Sequence, residues 1–352
     1  MPPGWAKGPM RLTVVLTAFR RTRYLPHAIG SLARQAPPSG ECEVLAYTDP
    51  PIDPRAFPTI PYASVSARMA PHPNLGQTQA RAIRESEGDV IAFLDDDDLF
   101  EPGKLRAVEE AFSSDRRLGY FHNSFGPVDE AGNPLRDHPF RRNSREARAR
   151  RGAVVVDSKD IWRVLRKLPN LAPDFNNSCI AIRREVVEPY LDTLAKIPLS
   201  TEAFHFFAAA TGPWRLRIDP RPLTGYRIHG GNTSALGDGQ RPDSPSPLVQ
   251  FTERALEGYR VVADWVTERG VPEAAREARA IVRVQELYRI LRSPIVQRGT
   301  MVRALLEALS LQDTYTWHVE KGIAPPAFLY PLFPAIAQRF YLAGKRRTLS
   351  RE

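Results

Sequence analysis

Residues 90–100 read VIAFLDDDDLF, five apolar residues followed at once by four carboxylates, Asp95 to Asp98. Val90, Ile91, Ala92, Phe93 and Leu94 form the short apolar run expected of a strand buried on both faces of a parallel sheet. The acids then fall at the strand's carboxyl end, where open α/β sheets bind their ligands. Four adjacent like charges repel one another, so holding them beside a buried strand is costly unless a cation or strong hydrogen-bond donors compensate. Two explanations stand side by side at this point. One is a site for a divalent metal or ligand; the other is a solvated turn capping the next helix, since DDLFEPGKL carries the Asp and Pro of a helix start.

The flanks alternate between strand and helix signals. RLTVVLTAF (11–19) is expected to be a strand, YLPHAIGSLARQ (24–35) an amphipathic helix and CEVLAYTD (42–49) a second strand ending in Asp49. ASVSARM (63–69) supplies a third strand, NLGQTQARAIRES (74–86) a helix opened by Asn74, and PGKLRAVEEAFSS (102–114) the helix after the acids. This spacing means βαβ units and a mostly parallel sheet. LGYFHNSFGPVDEAGNPLR (118–136) then looks like a hairpin turning at EAGN, followed by a basic loop and a helix around DSKDIWRVLRKL (157–168). A strand SCIAIR, helices from REVVEPYLDTLA and STEAFHFFAAAT, and a strand WRLRIDPRPLTGYRIH complete this part. The Gly- and Pro-rich stretch 230–247 marks a linker. Helix is expected from Leu248 to about Leu311.

A chain of 352 residues with 42% hydrophobic and 25% charged residues is long enough for a substantial core and has the balance of a soluble protein. Cys42 and Cys179 form neither a disulfide framework nor a metal spacing, so a reducing compartment is expected. The N-terminal MPPGWAKGPMRLTVVL lacks the apolar core of a secretory signal, and no apolar run approaches the roughly 18 residues of a membrane span, which points to a cytoplasmic protein. The net charge of +9 is concentrated in RDHPFRRNSREARARR (136–151), either an anion-attracting patch or a solvated loop. No zinc-finger spacing, RNA-binding aromatic signature or helix-turn-helix pattern accompanies it, so nucleic acid is not an expected partner. PPAFLYPLFPAIAQRFYLAGKRRTLSR (325–351) is aromatic-rich, too short to span and basic at its end. It suits either an anionic membrane surface, at the inner face of the membrane, or burial at a domain or dimer interface.

No glycine-rich phosphate loop is present, so a bound nucleotide's diphosphate would have to be neutralised by carboxylate-held Mg²⁺ or Mn²⁺. In combination, the motifs resemble family 2 glycosyltransferases of the GT-A fold. VVLTAFRRTRYLPHAIGSLARQ, CEVLAYTDP, NLGQTQARAIRESEGDVIAFLDDDDLFEPGKL, NNSCIAIRREVV, STEAFHFFAAAT and YRIHGGNTS occur in the family's order, over about residues 10 to 235. The resemblance implies an α/β fold with a Rossmann-like, mostly parallel central sheet flanked by helices, and an added helical C-terminal region. It places a nucleotide-sugar-binding half at 10–110, an acceptor half at 111–235, a linker at 236–247 and the helical region at 248–352.

The resemblance also assigns roles. Thr17, Ala18 and Phe19 would shape the base pocket, Asp49 would meet base or ribose, and Arg81 would approach base or diphosphate. Asp95 and Asp97 would form the DxD pair, Asp97 chiefly on the metal and Asp95 chiefly on the ribose, with Asp98 in support. Asp96 belongs to the donor-binding motif although its side chain is expected to face away. His229 would reach the metal or diphosphate, with a structural role as its alternative. The implied chemistry is a single inverting displacement at the anomeric carbon of a nucleoside-diphosphate sugar, a UDP-sugar being favoured, by a glycan, lipid-linked or small-molecule hydroxyl. The family's base is usually the aspartate of an acidic pair, yet here Glu202 is followed by Ala203. Glu202 is the candidate base, Asp174 the substitute, and His205, a turn further on, either a helper or a packing residue. Thr17, Arg20 and Ala82 stand where the family favours other residues. Two alternatives follow: a non-catalytic sugar-nucleotide or carbohydrate-binding protein, because of Ala203, and a nucleotidyltransferase, although LTAFRRTRYL lacks the glycines of such a loop.

Overall fold

A computed structural model describes residues 10–349 apart from 20–21, 54, 56–57, 71–73, 137–151, 169–170, 230–246 and 294. Nearly all of the basic loop, the GGNTS segment and most of the linker lie outside the described residues. The described strands are β1 (Leu12–Phe19), β2 (Cys42–Asp49), β3 (Ala63–Met69), β4 (Val90–Asp95), β5 (Leu99–Phe100), β6 (Leu118–Val128), β7 (Val154–Asp157), β8 (Ile180–Arg183) and β9 (Arg215–Arg227). They form one sheet in the order β3-β2-β1-β4-β8-β6-β9-β5, with β7 on β9. Pairing is parallel from β3 to β4. Beyond that the sheet is mixed, β8 running antiparallel to β4 and β6 while β6 and β9 are parallel.

The opening apolar run behaves as its composition requires. Val90, Ala92 and Leu94 join one core with Leu25, Ala28 and Ile29 of α1 (Leu25–Ala33) and Leu105, Val108 and Phe112 of α3 (Lys104–Ser114). Ile91 and Phe93 point the other way, into a core with Ala80 and Ile83 of α2 (Leu75–Glu85) and Phe204 and Phe207 of a later helix. A strand covered on both faces has no need of alternating polarity. Asn74 caps α2 as expected, its side chain accepting from the Gln77 N–H at 2.8 Å.

The second half departs from expectation in four places. In place of a hairpin over 118–136, β6 pairs with β8 and β9, and only an isolated Val128–Pro134 bridge closes the EAGN turn. Val154–Asp157, read only as the approach to a helix, forms β7, antiparallel to β9 with Val156 opposite Leu216; three successive valines favour a strand edge. The helix expected from Arg184 is three short turns, Arg184–Val187, Glu188–Tyr190 and Leu191–Leu194, because Pro189 has no N–H to continue an α-helix. Leu99–Phe100, expected to lead into the α3 cap, pairs with β9 instead.

α4 (Ile161–Lys167) and α5 (Thr201–Ala210) lie under this half of the sheet. The C-terminal region contains α6 (Pro247–Glu268), α7 (Pro272–Arg292), α8 (Arg298–Leu309), α9 (Tyr315–Glu320), α10 (Ala324–Leu329) and α11 (Pro334–Leu349). Helix thus continues well past Leu311, interrupted between α10 and α11 where the prolines forbid a single rod. No helix among the described residues is long and apolar enough to cross a membrane.

Candidate functional site

The chain leaves β1 to one side for β2 and returns to the other side for β4, so the carboxyl ends of these strands face a common crevice. The register sets Phe19 beside Asp49 and Thr17 beside Asp95. Thr17 Oγ1 is 3.5 Å from Asp95 Oδ1. Thr17, Phe19 and Asp49 are half-buried at this rim, while Ala18 turns into the core. Arg81 is engaged elsewhere: its Nε is 2.6 Å from Glu85 Oε1 on the surface of α2, and Glu85 also accepts from the Tyr47 hydroxyl.

The acids are held rather than merely solvated. Asp98, 1% exposed, accepts from Asn176 Nδ2 at 2.9 Å and from the Arg227 N–H at 3.1 Å. Burial and the Asp97 charge push its carboxyl up to about 7. The Arg227 guanidinium, wholly buried, donates to the Asp97 carbonyl at 2.7 Å and to the Asp129 and Glu130 carbonyls at 3.0 and 2.6 Å, and lies over the Tyr24 ring. Two residues on, His229 places Nε2 3.1 Å from Asp97 Oδ2. Asp96 is buried as well. Asp95 sits well above the usual carboxylate range because of burial and then the charges of Asp98, Asp97, Asp96 and Glu202.

A buried polar layer supports this loop from below. The Asp95 N–H donates to Ser178 Oγ at 3.0 Å. Lys104, fully buried, donates from Nζ to the Ser178 carbonyl and to Thr224 Oγ1; burial lowers its pKa to about 8. Tyr120 and His122 on β6 hold the Pro173 and Phe175 carbonyls, fixing the segment that carries Asp174 and Asn176. Ala172, Asn176 and Ser200, all non-glycine, have positive φ (38°, 70° and 64°). One contacts Asp98 and the other two lie two residues before Asp174 and Glu202. Such backbone outliers concentrate where a site is over-determined by its surroundings.

α5 aims Glu202 at the acids. His205 stacks on Phe93 with ring centroids 4.4 Å apart, fixing the helix across β4. Three residues back along α5 is Glu202 and two residues on along β4 is Asp95, displacements of about 4.5 and 6.6 Å; the Asp95 carboxyl feels the Glu202 charge. Glu202 is half-buried, and desolvation raises it to about 7, with Asp174 contributing. Asp174 is itself raised to about 6, chiefly by burial. Ala203 is 1% exposed, so an acid there would enter the core instead of the crevice. His205 is fully buried, hydrogen-bonded to Gln79 Oε1 at 2.9 Å and kept neutral by burial, which lowers it to about 3. Its place is in the packing of α5.

Among the described residues, no three His, Cys, Asp or Glu side chains form a closed metal site. Asp97 offers the carboxylate oxygen that Mg²⁺ or Mn²⁺ takes when substrate phosphates and water fill the remaining positions, and His229 beside it adds a nitrogen that suits Mn²⁺ better than Mg²⁺. The residues therefore fit a donor-completed cation. Arg227, Ser178 and Lys104 were not singled out in the sequence, although each lies within or beside a quoted motif: YRIH, NNSCIAI and PGKL.

Comparison with known proteins is consistent with this arrangement. The sequence profile of glycosyl transferase family 2 matches residues 13–191, half of the chain. The chain belongs to that family. It is 28% identical over 262 residues, 72% of this chain and 76% of the relative, to an uncharacterized glycosyltransferase of Nostoc sp.. Its fold resembles that of S. aureus TarS, with a TM-score of 0.56 at 14% identity, over 94% of this chain. The chain spans 54% of that TarS chain, about half its length. It also resembles TarS residues 1–349, solved in complex with UDP-GlcNAc, with a TM-score of 0.50 at 13% identity, covering 89% of this chain and 92% of that one. The GT-A architecture, a mostly parallel sheet flanked by helices, accounts for the sheet order.

Proposed function

We propose that the chain is an inverting, metal-assisted glycosyltransferase that moves a sugar from a nucleoside-diphosphate donor, a UDP-sugar being favoured, to a hydroxyl of a glycan, lipid-linked or small-molecule acceptor. The observation that carries it is the Asp97–His229 pair at the carboxyl end of β4, together with a half-buried Glu202, raised to about 7, whose charge reaches Asp95. Residues 10–110 would hold the donor, with Thr17, Phe19, Asp49 and Asp95 along base and ribose, and residues 111–235 the acceptor. Asp97 and His229 would hold a divalent cation, which supplies charge neutralisation of the departing diphosphate when bound. Glu202, ionised near neutrality, takes the proton of the acceptor hydroxyl as it attacks the anomeric carbon, and a single displacement inverts that centre. Asp98, fixed by Asn176 and Arg227, holds the loop in register. The likeness in fold to a UDP-GlcNAc-binding domain supports the donor class.

The test is incubation with a panel of nucleotide sugars and Mn²⁺ or Mg²⁺, with release of nucleoside diphosphate measured. At least one donor is expected to turn over in a metal-dependent way that Asp97→Ala abolishes. Absence of donor binding across the panel, or full turnover by Asp97→Ala, overturns the assignment.

A further inference from the structure

Ten of the twelve large apolar side chains exposed among the described residues lie between Ile295 and Phe340. The densest group is Phe328, Leu332, Phe333, Ile336 and Phe340, 52–72% exposed. Phe333, Ile336 and Phe340 follow the i, i+3, i+7 spacing of one helical face at α11. Ala337 and Tyr341 lie about a quarter turn further round the helix and are buried in a core with Tyr288, Leu291 and Tyr330. The apolar surface of α11 is therefore wider than its packed edge, the adjoining edge being open.

The sequence of this segment is basic. Between Glu320 and Glu352 it contains Lys321, Arg339, Lys345, Arg346, Arg347 and Arg351, and no Asp or Glu. We propose that this face docks on the surface of a bilayer containing anionic headgroups, the apolar side chains entering the boundary with the acyl chains and the cations meeting the phosphates. A second copy of the chain is a poorer occupant, because a two-fold contact sets the same patch against itself and opposes cation to cation. No described helix can cross a membrane, so the contact lies in the interface. It rests on the proposed function only in bringing a lipid-linked acceptor to the same surface.

The full chain is mixed, without nucleotide, with vesicles of phosphatidylcholine alone or with about one-third phosphatidylglycerol, then sedimented. It is expected to pellet with the anionic vesicles, weakly with the neutral ones, and less as salt rises. The double variant Phe333→Gln/Phe340→Gln is expected to lower the bound fraction roughly ten-fold. The triple variant Lys345→Gln/Arg346→Gln/Arg347→Gln is expected to reduce binding to the level on neutral vesicles. Both should keep the parent's melting temperature and nucleoside-diphosphate release, so failure of this proposal is distinct from failure of the enzymatic one. Equal binding to both vesicle types, no binding to either, or indifference to the substitutions overturns it. So does a self-associating parent that the apolar substitutions render monomeric, since the face then belongs to a second copy.

Discussion

At the scale of single residues, Glu202 makes the sharpest demands. Its carboxyl is raised to about 7, first by desolvation, and a general base works only when ionised. Turnover at saturating donor and acceptor is therefore expected to climb as pH rises through about 7 and then level off. Glu202→Gln should lower kcat by about 100- to 10,000-fold and leave donor affinity unchanged; a variant retaining the parent's rate and profile removes Glu202 as base. The same shift carries a stability signature of opposite sense. The folded pKa lies above the roughly 4.3 of an unfolded glutamate, so the folded state holds the proton more tightly and this group's contribution to stability declines between about pH 4.3 and 7. Glu202→Gln should consequently gain on the parent in urea midpoint at pH 8 and lose that gain by pH 4. Asp97→Asn should raise the metal concentration for half-maximal turnover roughly ten-fold or more, read by titrating Mn²⁺. Asp95 to Asp98 were legible in the sequence because a carboxylate run after an apolar strand is a local pattern, whereas Glu202 entered only through the resemblance of STEAFHFFAAAT to the family's acidic helix. Arg227 was not legible, since its partners Asp97 and Asp98 are some 130 residues away in the chain and nothing near YRIH signals a buried guanidinium.

At the scale of elements, close approach explains what periodicity does not. The NLG motif was legible as a helix start, but the reason for its glycine lies in residues 194–197. A Cβ at Gly76 would stand 2.0 Å from the Leu194 carbonyl oxygen and 2.5 Å from that of Ile197, and the Gly76 N–H donates to Ile197 at 3.0 Å. Gly76→Ala should therefore shift α2 and cost about 1–3 kcal/mol, measured by urea unfolding. Lys104 makes a comparable case at the start of α3. PGKL reads as an exposed helix start, yet the lysine is buried beneath the acid loop. Lys104→Met should remove one of the two donors to the Ser178 carbonyl, the Thr224 hydroxyl being the other, and destabilise the fold by about 1–3 kcal/mol. Strands β1, β2 and β4 were visible because burial on both faces writes itself into a strand as a continuous apolar run. β5 and β7 were not, because two to four residues carry no period and their pairing with β9 is decided by the sheet already in place.

At the scale of the whole molecule, residues on either side of the Gly- and Pro-rich stretch share one core. Leu256, Val262, Trp265 and Val266 of α6 belong to the same core as Ile91, Phe93 and Phe204. Trp265 packs on Phe204 with ring centroids 5.0 Å apart and on Tyr190 at 5.1 Å. Arg269 donates to Thr211 Oγ1 at 2.6 Å, and the nearly inaccessible Glu277 accepts from the Tyr315 and Thr316 N–H groups at 2.8 and 3.2 Å. The sequence left open whether the C-terminal helices pack on the rest of the chain or on a second subunit, because apolar faces on separate segments do not disclose their partners. A burial of about 1.5–3 kcal/mol for each large side chain, summed over those four residues of α6, matches the roughly 5–15 kcal/mol by which native proteins are usually stable. The full chain is therefore expected to unfold in a single transition, followed by circular dichroism. A chain ending at residue 246 should be insoluble or bind a hydrophobic dye strongly, because α5 would then expose Phe204 and Phe207 directly behind Glu202. A truncated chain that melts cooperatively within a few degrees of the full one would instead make the C-terminal helices an independent module, and the geometry of Glu202 would owe nothing to them.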